Sequence, residues 1–253
     1  MTINELTLLI IIILEISFFI AYFLKGFSGF GPALIVVPTV AFILNPALAL
    51  GSSAFIDIIV GLGLLLSLKY RKSDIAIIIR ISVLMFIGTL IGGSLAGMVS
   101  PDKILVLIAV VIFGFGMNLL IFKQQTPAGM ELKKPWLLWA GSILGGFTGG
   151  LVGICGPFVV MACKAQMDKD SFRRILVAVF FAEGIFRLIV YMAVDIWTAD
   201  VFRLALIVSP AIIVGLAAGY FSHVKVSEKL FGIIIGMLLI LISMRIFLSF
   251  ITG

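Results

Sequence analysis

The sequence has few charged residues, one histidine and two cysteines. Asp, Glu, Lys and Arg make up 12% of its 253 residues, whereas hydrophobic residues make up 62%. Soluble domains have about a quarter charged residues, so this composition excludes a soluble globular protein. Apolar runs of about 20 residues recur along the chain, which is the length that a helix needs to cross a bilayer. We therefore predict an all-α fold, a polytopic bundle of transmembrane helices.

The scarcity of histidine and cysteine leaves few groups for a metal or a catalytic centre. The only histidine, His223, lies in a predicted loop, and Cys155 and Cys163 come without a metal-ligand set. A zinc site would need three or four such ligands, so we predict no metal and no cofactor. His-Glu-x-x-His and Gly-x-Ser-x-Gly motifs are absent, which disfavours an intramembrane enzyme. No ATP-binding P-loop motif occurs either, so ATP would have to act through another subunit.

The positive charge of the chain is concentrated in loops. The net charge is +6, and basic loops of membrane proteins face the cytoplasm. The charge therefore does not indicate a nucleic-acid partner, and we place the chain in the cell (inner or cytoplasmic) membrane, surrounded by lipid. The predicted inside loops are residues 69–74, 123–134, 164–174 and 223–229, and the predicted outside segments are residue 45, residues 100–103 and 195–200, and both termini. The first apolar run, residues 6–24, is predicted to be a retained helix.

The chain contains an internal repeat. Two related glycine-rich stretches, residues 26–32 and 150–157, each end in Gly-Pro. Aligning the two Gly-Pro pairs gives an offset of 125 residues, at which residues 33–122 pair with residues 158–247. The predicted domains are a first transmembrane repeat (1–122), a cytoplasmic linker (123–134) and a second transmembrane repeat (135–253).

Equivalent loops of the two repeats differ in charge. The loop 69–74 is basic, whereas its counterpart 195–200 has no Lys or Arg; conversely, residues 45–47 are uncharged and their counterpart 164–174 is basic. Under the positive-inside rule, equivalent loops then face opposite sides of the membrane. The sequence therefore predicts two repeats of inverted topology.

Each glycine-rich break precedes a short apolar segment, residues 33–44 and 158–163. As a helix, residues 33–44 would span about 18 Å, less than the ~30 Å hydrocarbon core. Loop charge does not decide whether such segments cross the membrane or are re-entrant. Paired interrupted segments mark substrate sites in secondary transporters, and the free N–H groups at the start of a helix favour anions. We predict that the two breaks bind one small anion; the alternative is that their glycines permit close helix packing.

Ionisable residues within the predicted spans are further candidates, because burying them is costly. Arg187 is predicted to supply or gate positive charge for the anion, with an ion pair to Glu183 as the alternative. Asp57, Glu183 and Glu15 are candidates for proton or cation coupling, with hydrogen bonds between helices as the alternative for Asp57 and Glu183. The predicted substrate-binding residues are Ser28, Gly29, Gly31, Pro32, Ser52, Ser53, Cys155, Gly156, Pro157 and Arg187.

These features together resemble one known family. They are the Gly-rich–Pro break in each half, Leu-Gly-Ser-Ser-Ala-Phe at 50–55, Phe-Arg-Arg-Ile at 172–175 and a length near 250. The chain resembles the TauE/SafE family of membrane permeases, often called sulfite exporters. In that family the first break is often a longer glycine run, which Phe27, Ser28 and Phe30 interrupt here.

The resemblance implies transport of a small sulfur-containing anion such as sulfite or an organosulfonate, coupled to an ion gradient. The coupling ion would be a proton or sodium, and the mechanism would be alternating access. The alternatives are a permease or channel for another small anion or carboxylate, and a structural subunit without transport activity. Oligomeric state is left open, a homodimer being one arrangement.

Overall fold

The computed structural model describes residues 7–28, 31–121, 135–164, 169–222 and 228–252, which form ten α-helices and no strand. The helices are α1 (Leu8–Ser28), α2 (Ala33–Ile43), α3 (Pro46–Ser67), α4 (Lys72–Met98), α5 (Pro101–Ile121), α6 (Pro135–Val152), α7 (Gly156–Lys164), α8 (Lys169–Ala193), α9 (Asp200–Phe221) and α10 (Glu228–Thr252). Six of them (α1, α3, α4, α5, α8 and α9) are long and apolar enough to cross a membrane. The prediction of an all-α polytopic membrane bundle is confirmed.

Two glycines predicted to lie in the breaks lie instead within helices, since α1 continues through Gly26 and α6 through Gly150. A Cβ on Gly26 would lie 2.5 Å from the carbonyl oxygen of Leu216 on α9. A Cβ on Gly150 would lie 2.6 Å from the carbonyl oxygen of Thr89 on α4. Both glycines thus allow two helix backbones to approach closely, and the prediction that the breaks begin at these residues is wrong.

The actual turns lie at Gly31 and Gly153. Their φ angles are +103° and +75°, values that glycine adopts without the steric cost that a Cβ imposes. Gly31 leads directly into Pro32 and α2. Gly153 ends α6, and its N–H donates to the carbonyl oxygen of Gly149 (2.9 Å). A left-handed glycine thus lies three residues before Gly156-Pro157 at the end of α6, and another directly precedes Pro32 and α2.

The start of α3 follows from the residues at its N-terminus. The side chain of Asn45 accepts a hydrogen bond from the N–H of Leu48 (2.7 Å) and caps α3, with Pro46 at the first helical position. This arrangement satisfies an N–H group that the helix itself leaves unpaired. In contrast, α8 begins at Lys169, inside the predicted charged loop 164–174, so that loop is shorter than predicted.

Helices α6 and α7 form an antiparallel hairpin. Gly145 of α6 lies beside Val159 of α7, whereas Gly141, one turn earlier, lies beside Ala162. With nine residues, α7 is about 14 Å long, which is too short to cross a ~30 Å hydrocarbon core by itself. The second long-plus-short pair therefore turns back on itself, with residues 153–155 at the tip of the hairpin.

The equivalent helices α3 and α8 pack against each other in opposite directions. Gly61, late in α3, lies beside Phe181 of α8, and Ala54, earlier in α3, lies beside Gly184. Equivalent helices of two inverted repeats must run antiparallel, so this packing supports the predicted inversion. The domain boundaries stay a prediction.

The two predicted repeats are interleaved. Helix α1 packs against α9, α4 against α6, and α5 against α10. Since α1 corresponds to α6 and α4 to α9 at the offset of 125 residues, the first two pairings are equivalent. Glycines that lie against the backbone of the partner helix are Gly26, Gly215 and Gly219 in the α1–α9 pair and Gly88, Gly92, Gly146 and Gly150 in the α4–α6 pair. Each repeat is thereby held by helices of the other.

Candidate functional site

A carboxylate lies between two buried cations in the centre of the bundle. Lys25 Nζ on α1 donates to Asp57 Oδ1 on α3 (2.8 Å), and Arg187 Nη2 on α8 donates to Asp57 Oδ2 (2.8 Å). Lys25, Asp57 and Arg187 are 5%, 9% and 1% exposed. We refer to these three residues as the charge cluster. Its formal charge is +1, because two cations face one carboxylate.

Arg187 also contacts the tip of the α6–α7 hairpin. Its Nη1 donates to Ser53 Oγ (3.2 Å) and to the carbonyl oxygen of Gly153 (3.2 Å). Its Nε is buried and has no hydrogen-bond partner among the described residues. A buried N–H group without a partner is unusual in proteins, because leaving it unpaired is costly. Arg187 therefore has a donor to offer beyond those that its present contacts use.

Tyr191 fixes the end of α6. Its hydroxyl lies 2.8 Å from the carbonyl oxygen of Gly150 and 3.0 Å from that of Gly149, and it donates its single proton to this pair. The last carbonyl groups of a helix have no partner within the helix. Tyr191 and Arg187, one turn apart on α8, thus hold the hairpin tip against the charge cluster.

A second buried carboxyl group, Glu183, lies one turn before Arg187. It is 0% exposed, and both of its oxygens lie 2.9 Å from Thr89 Oγ1 on α4. A Cβ on Gly149 would lie 2.5 Å from Glu183 Oε1, so the carboxyl group rests directly against the backbone of α6. Glu183 therefore lies where α4, α6 and α8 meet.

A small cavity adjoins the Lys25–Asp57 pair. Its volume is about 10 Å³, which is roughly the space of one water molecule. Its lining residues are Lys25, Asp57, Gly61, Leu64, Val177, Phe180 and Phe181. The charge cluster therefore borders a narrow space between α1, α3 and α8.

Several of the predicted site residues come together here. Arg187 contacts both Ser53 and Asp57, and Glu183 lies one turn away from it on α8. Cys155 lies at the buried hairpin tip, and its Cβ is close to Gly149. The alternative prediction, that Arg187 forms an ion pair with Glu183, is wrong. Arg187 pairs with Asp57 instead, because α3 packs against α8 and places Asp57 beside it.

Other predicted residues have no hydrogen bond to the charge cluster in the described part of the structure. The Ser52 hydroxyl donates to the carbonyl oxygen of Ala49 in its own helix (3.3 Å). Glu15 is half-buried, ten residues before Lys25, and has no hydrogen-bond or ion-pair partner among the described residues. Pro32 and Pro157 are buried at the starts of α2 and α7.

The two aligned glycines border free space. A Cβ on Gly31 or Gly156 would meet no described atom within 4 Å. Gly29 and the side chain of Ser28 lie outside the described part of the structure. These four residues stay predictions as binding residues.

Three residues of the site were not predicted from the sequence. Lys25 immediately precedes the predicted break, where a lysine is expected to flank a span. Tyr191 follows Arg187 by four residues and Glu183 by eight, which places all three on one helix face, and this spacing could have identified it. Thr89 has no signal in the sequence, since a threonine in an apolar helix usually bonds its own backbone.

The family model described as "Sulfite exporter TauE/SafE" matches residues 14–246. This match includes both helix breaks, the charge cluster and Glu183. No curated protein and no solved structure matches the chain.

Proposed function

Since the chain belongs to the TauE/SafE family of sulfite exporters, we propose that it moves sulfite or a small organosulfonate across the cell (inner or cytoplasmic) membrane. The family consists of transporters, and six helices of the chain are able to span a bilayer. The proposed mechanism is alternating access driven by an ion gradient.

The observation that carries this proposal is the charge cluster. Lys25 and Arg187, from helices of opposite repeats, hold the two oxygens of one carboxylate at 2.8 Å each. Sulfite and sulfonates carry anionic oxygens, as the carboxylate of Asp57 does. A guanidinium group binds such oxygens through paired N–H donors. Together with the net positive charge and the unpartnered Nε of Arg187, this arrangement favours an anion site at the hairpin tip.

The narrow cavity supports a mechanism with conformational change. A space of about 10 Å³ holds roughly one water, whereas sulfite has four heavy atoms. Binding therefore requires the helices around Asp57 to separate. The glycine-lined α1–α9 and α4–α6 contacts join helices of opposite repeats, and they lack interlocking side chains at the glycines, so they are suitable surfaces for such a movement.

An ion pair away from the site is suited to controlling this movement. Arg174 Nε of α8 donates to Asp74 Oδ2 of α4 (2.8 Å), and the Asp74 side chain is 3% exposed. The two residues begin helices of opposite repeats, and both lie in segments predicted to face the cytoplasm. We propose that this pair closes the cytoplasmic side when it forms.

Thermal stabilisation of the purified protein tests the proposal. A ligand that binds the folded state raises its apparent stability. We expect sulfite, thiosulfate or sulfoacetate to raise the unfolding temperature of the wild type, and taurine and chloride to do so less. Arg187→Ala should lose the shift, whereas Arg80→Ala, which changes an exposed arginine, should keep it. A shift retained in folded Arg187→Ala would contradict the role of the charge cluster.

A permease for small carboxylates is the second candidate, because Lys25 and Arg187 already bind the carboxylate of Asp57. Acetate in the same assay distinguishes the two. Stabilisation by acetate alone would favour the carboxylate permease, and stabilisation confined to sulfur oxyanions or sulfonates would favour the first proposal.

A further inference from the structure

Glu183 is a buried carboxyl group without an ion-pair partner among the described residues. Its only hydrogen-bond partner in that part of the chain is Thr89. Arg187, one turn away, directs its bonds to Asp57, Ser53 and Gly153 instead. An ionised carboxylate in this position would be buried without a direct cation partner, which is unfavourable.

The contacts of Thr89 indicate where a proton lies. Its Oγ1 is 2.9 Å from the carbonyl oxygen of Met85, 3.3 Å from that of Gly146 and 2.9 Å from each oxygen of Glu183. If Glu183 were ionised, all four neighbours would be acceptors, and a hydroxyl has one proton to donate.

A protonated Glu183 resolves this conflict. The carboxylic acid then donates its proton to Thr89 Oγ1, and the Thr89 hydroxyl donates to the Met85 carbonyl, as threonines in helices commonly do. The short contacts to the carboxyl group and to Met85 are then accounted for by two hydrogen bonds.

Helices α3, α4, α6 and α8 and the hairpin tip all contribute groups that surround Glu183. Thr89 faces it from α4 and the backbone of Gly149 from α6. The titratable and charged groups that interact with it are Asp57 of α3, Cys155 of the hairpin tip, and Arg187 and Tyr191 of α8. Lys25 of α1 enters through its bond with Asp57.

The protonation of Glu183 sets the net charge of this group. With Glu183 neutral, Lys25, Arg187 and Asp57 give a net charge of +1. With Glu183 ionised, the four charges cancel. A buried group with net positive charge attracts an anion, and a neutral one does not.

We propose that Glu183 is the coupling site of the transporter and that the coupling ion is a proton, held between Glu183 and Thr89. Proton uptake leaves one positive charge that a monovalent anion balances, and both leave together when Glu183 ionises. One proton accompanies each monovalent anion. This inference rests on the proposed function and adds the identity of the ion and its site.

Transport in liposomes tests the inference. The probes are sulfite and isethionate, a sulfonate that stays ionised throughout the pH range used, each in labelled form. We expect an inward proton gradient to drive accumulation of at least one of them several-fold above equilibrium, with matching alkalinisation outside. A sodium gradient at equal pH should not.

Glu183→Gln, which imitates the protonated acid, should lose the gradient-driven accumulation while labelled anion still exchanges for unlabelled anion. Asp102→Asn is the control, because Asp102 is exposed at the start of α5 and has no role in the proposed site, and it should accumulate anion as the wild type does. Accumulation by Glu183→Gln under a proton gradient, or by the wild type under a sodium gradient alone, would overturn the inference and leave the proposed function intact. If the wild type neither binds nor moves either anion, the proposed function itself fails.

Thr89 provides a second variant in case Glu183→Gln does not fold. Thr89→Val removes the hydroxyl and should shift the pH midpoint of anion accumulation, whereas Thr89→Ser keeps the hydroxyl and should retain the wild-type midpoint. Identical midpoints in all three proteins would contradict a proton held between Glu183 and Thr89.

Discussion

At the scale of single residues, Asp57 is the group on which the site depends. It is the only carboxylate in contact with Lys25 and Arg187 among the described residues. Two cations buried without a counter-charge would repel each other and lose hydrogen bonds that they cannot replace with water. Asp57 is therefore a structural anion and, in the proposed mechanism, the group that a substrate anion must compete with or accompany.

Replacement of Asp57 by Asn should destabilise the protein and make it more dependent on an added anion. Removing one partner of a buried ion pair typically costs about 3–5 kcal/mol. A bound anion would compensate for part of this loss, so sulfite should raise the unfolding temperature of Asp57→Asn more than that of the wild type. Asp102→Asn, at an exposed position, serves as the control. Equal anion-induced shifts in Asp57→Asn and the wild type would contradict the view that Asp57 occupies an anion site.

At the scale of helices, glycine decides how the repeats are joined. Gly88 and Gly92 on α4, and Gly215 and Gly219 on α9, are each spaced by four residues, so each pair lies on one helix face. Both pairs lie against the backbone of a helix from the other half. A larger side chain on this face would push the two helices apart and move the hairpin that contacts the charge cluster.

Alanine at Gly92 should therefore destabilise the protein, whereas alanine at Gly63 should not. A Cβ on Gly92 would overlap the carbonyl oxygen of Phe147, and a Cβ on Gly63 would meet no described atom within 4 Å. In a helix interior, alanine is favoured over glycine by about 0.5–1 kcal/mol, so Gly63→Ala is expected to be neutral or slightly stabilising. The unfolding temperatures of the two variants in detergent measure the difference. Equal temperatures would mean that α4 and α6 separate freely.

At the scale of the whole molecule, the directions of the helices agree with the topology that the loop charges predict. The Asp74–Arg174 ion pair joins the N-terminal ends of α4 and α8, and both ends belong to segments predicted to face the cytoplasm. On the opposite side, near the start of α3, Gly51 lies beside Val201 and Ile196. These two residues are in or next to the loop 195–200, which is predicted to face outward. The helix directions in the bundle are thus compatible with the loop charges.

Cysteine labelling tests this topology directly. Ser73 and Thr198 are exposed, and the native Cys155 and Cys163 are buried, so introduced cysteines at 73 and 198 should react selectively. In intact cells, an impermeant maleimide should label Thr198→Cys, and Ser73→Cys should react only after permeabilisation. Labelling of both from the same side would overturn the inverted topology.

The sequence alone determined the class of protein, because the bilayer places requirements on composition and length that no tertiary contact changes. Long apolar runs with 12% charged residues are compatible only with membrane helices. The positions of Arg187, Asp57 and Glu183 within such runs marked them as candidates for the same reason, since charges there are costly. The repeated Gly-Pro pairs located both helix breaks to within a few residues.

Only the tertiary structure decided which of these charges meet. Arg187 has an acidic neighbour one turn away in its own helix, yet it pairs with Asp57 on α3, 130 residues away. Lys25 joins them from α1, and the next residue, Gly26, lies directly against the backbone of α9. As a consequence, Glu183 forms its hydrogen bond with Thr89 and no ion pair with Arg187. Helix periodicity gives the face on which a residue lies, but which helix covers that face is set by packing between distant segments.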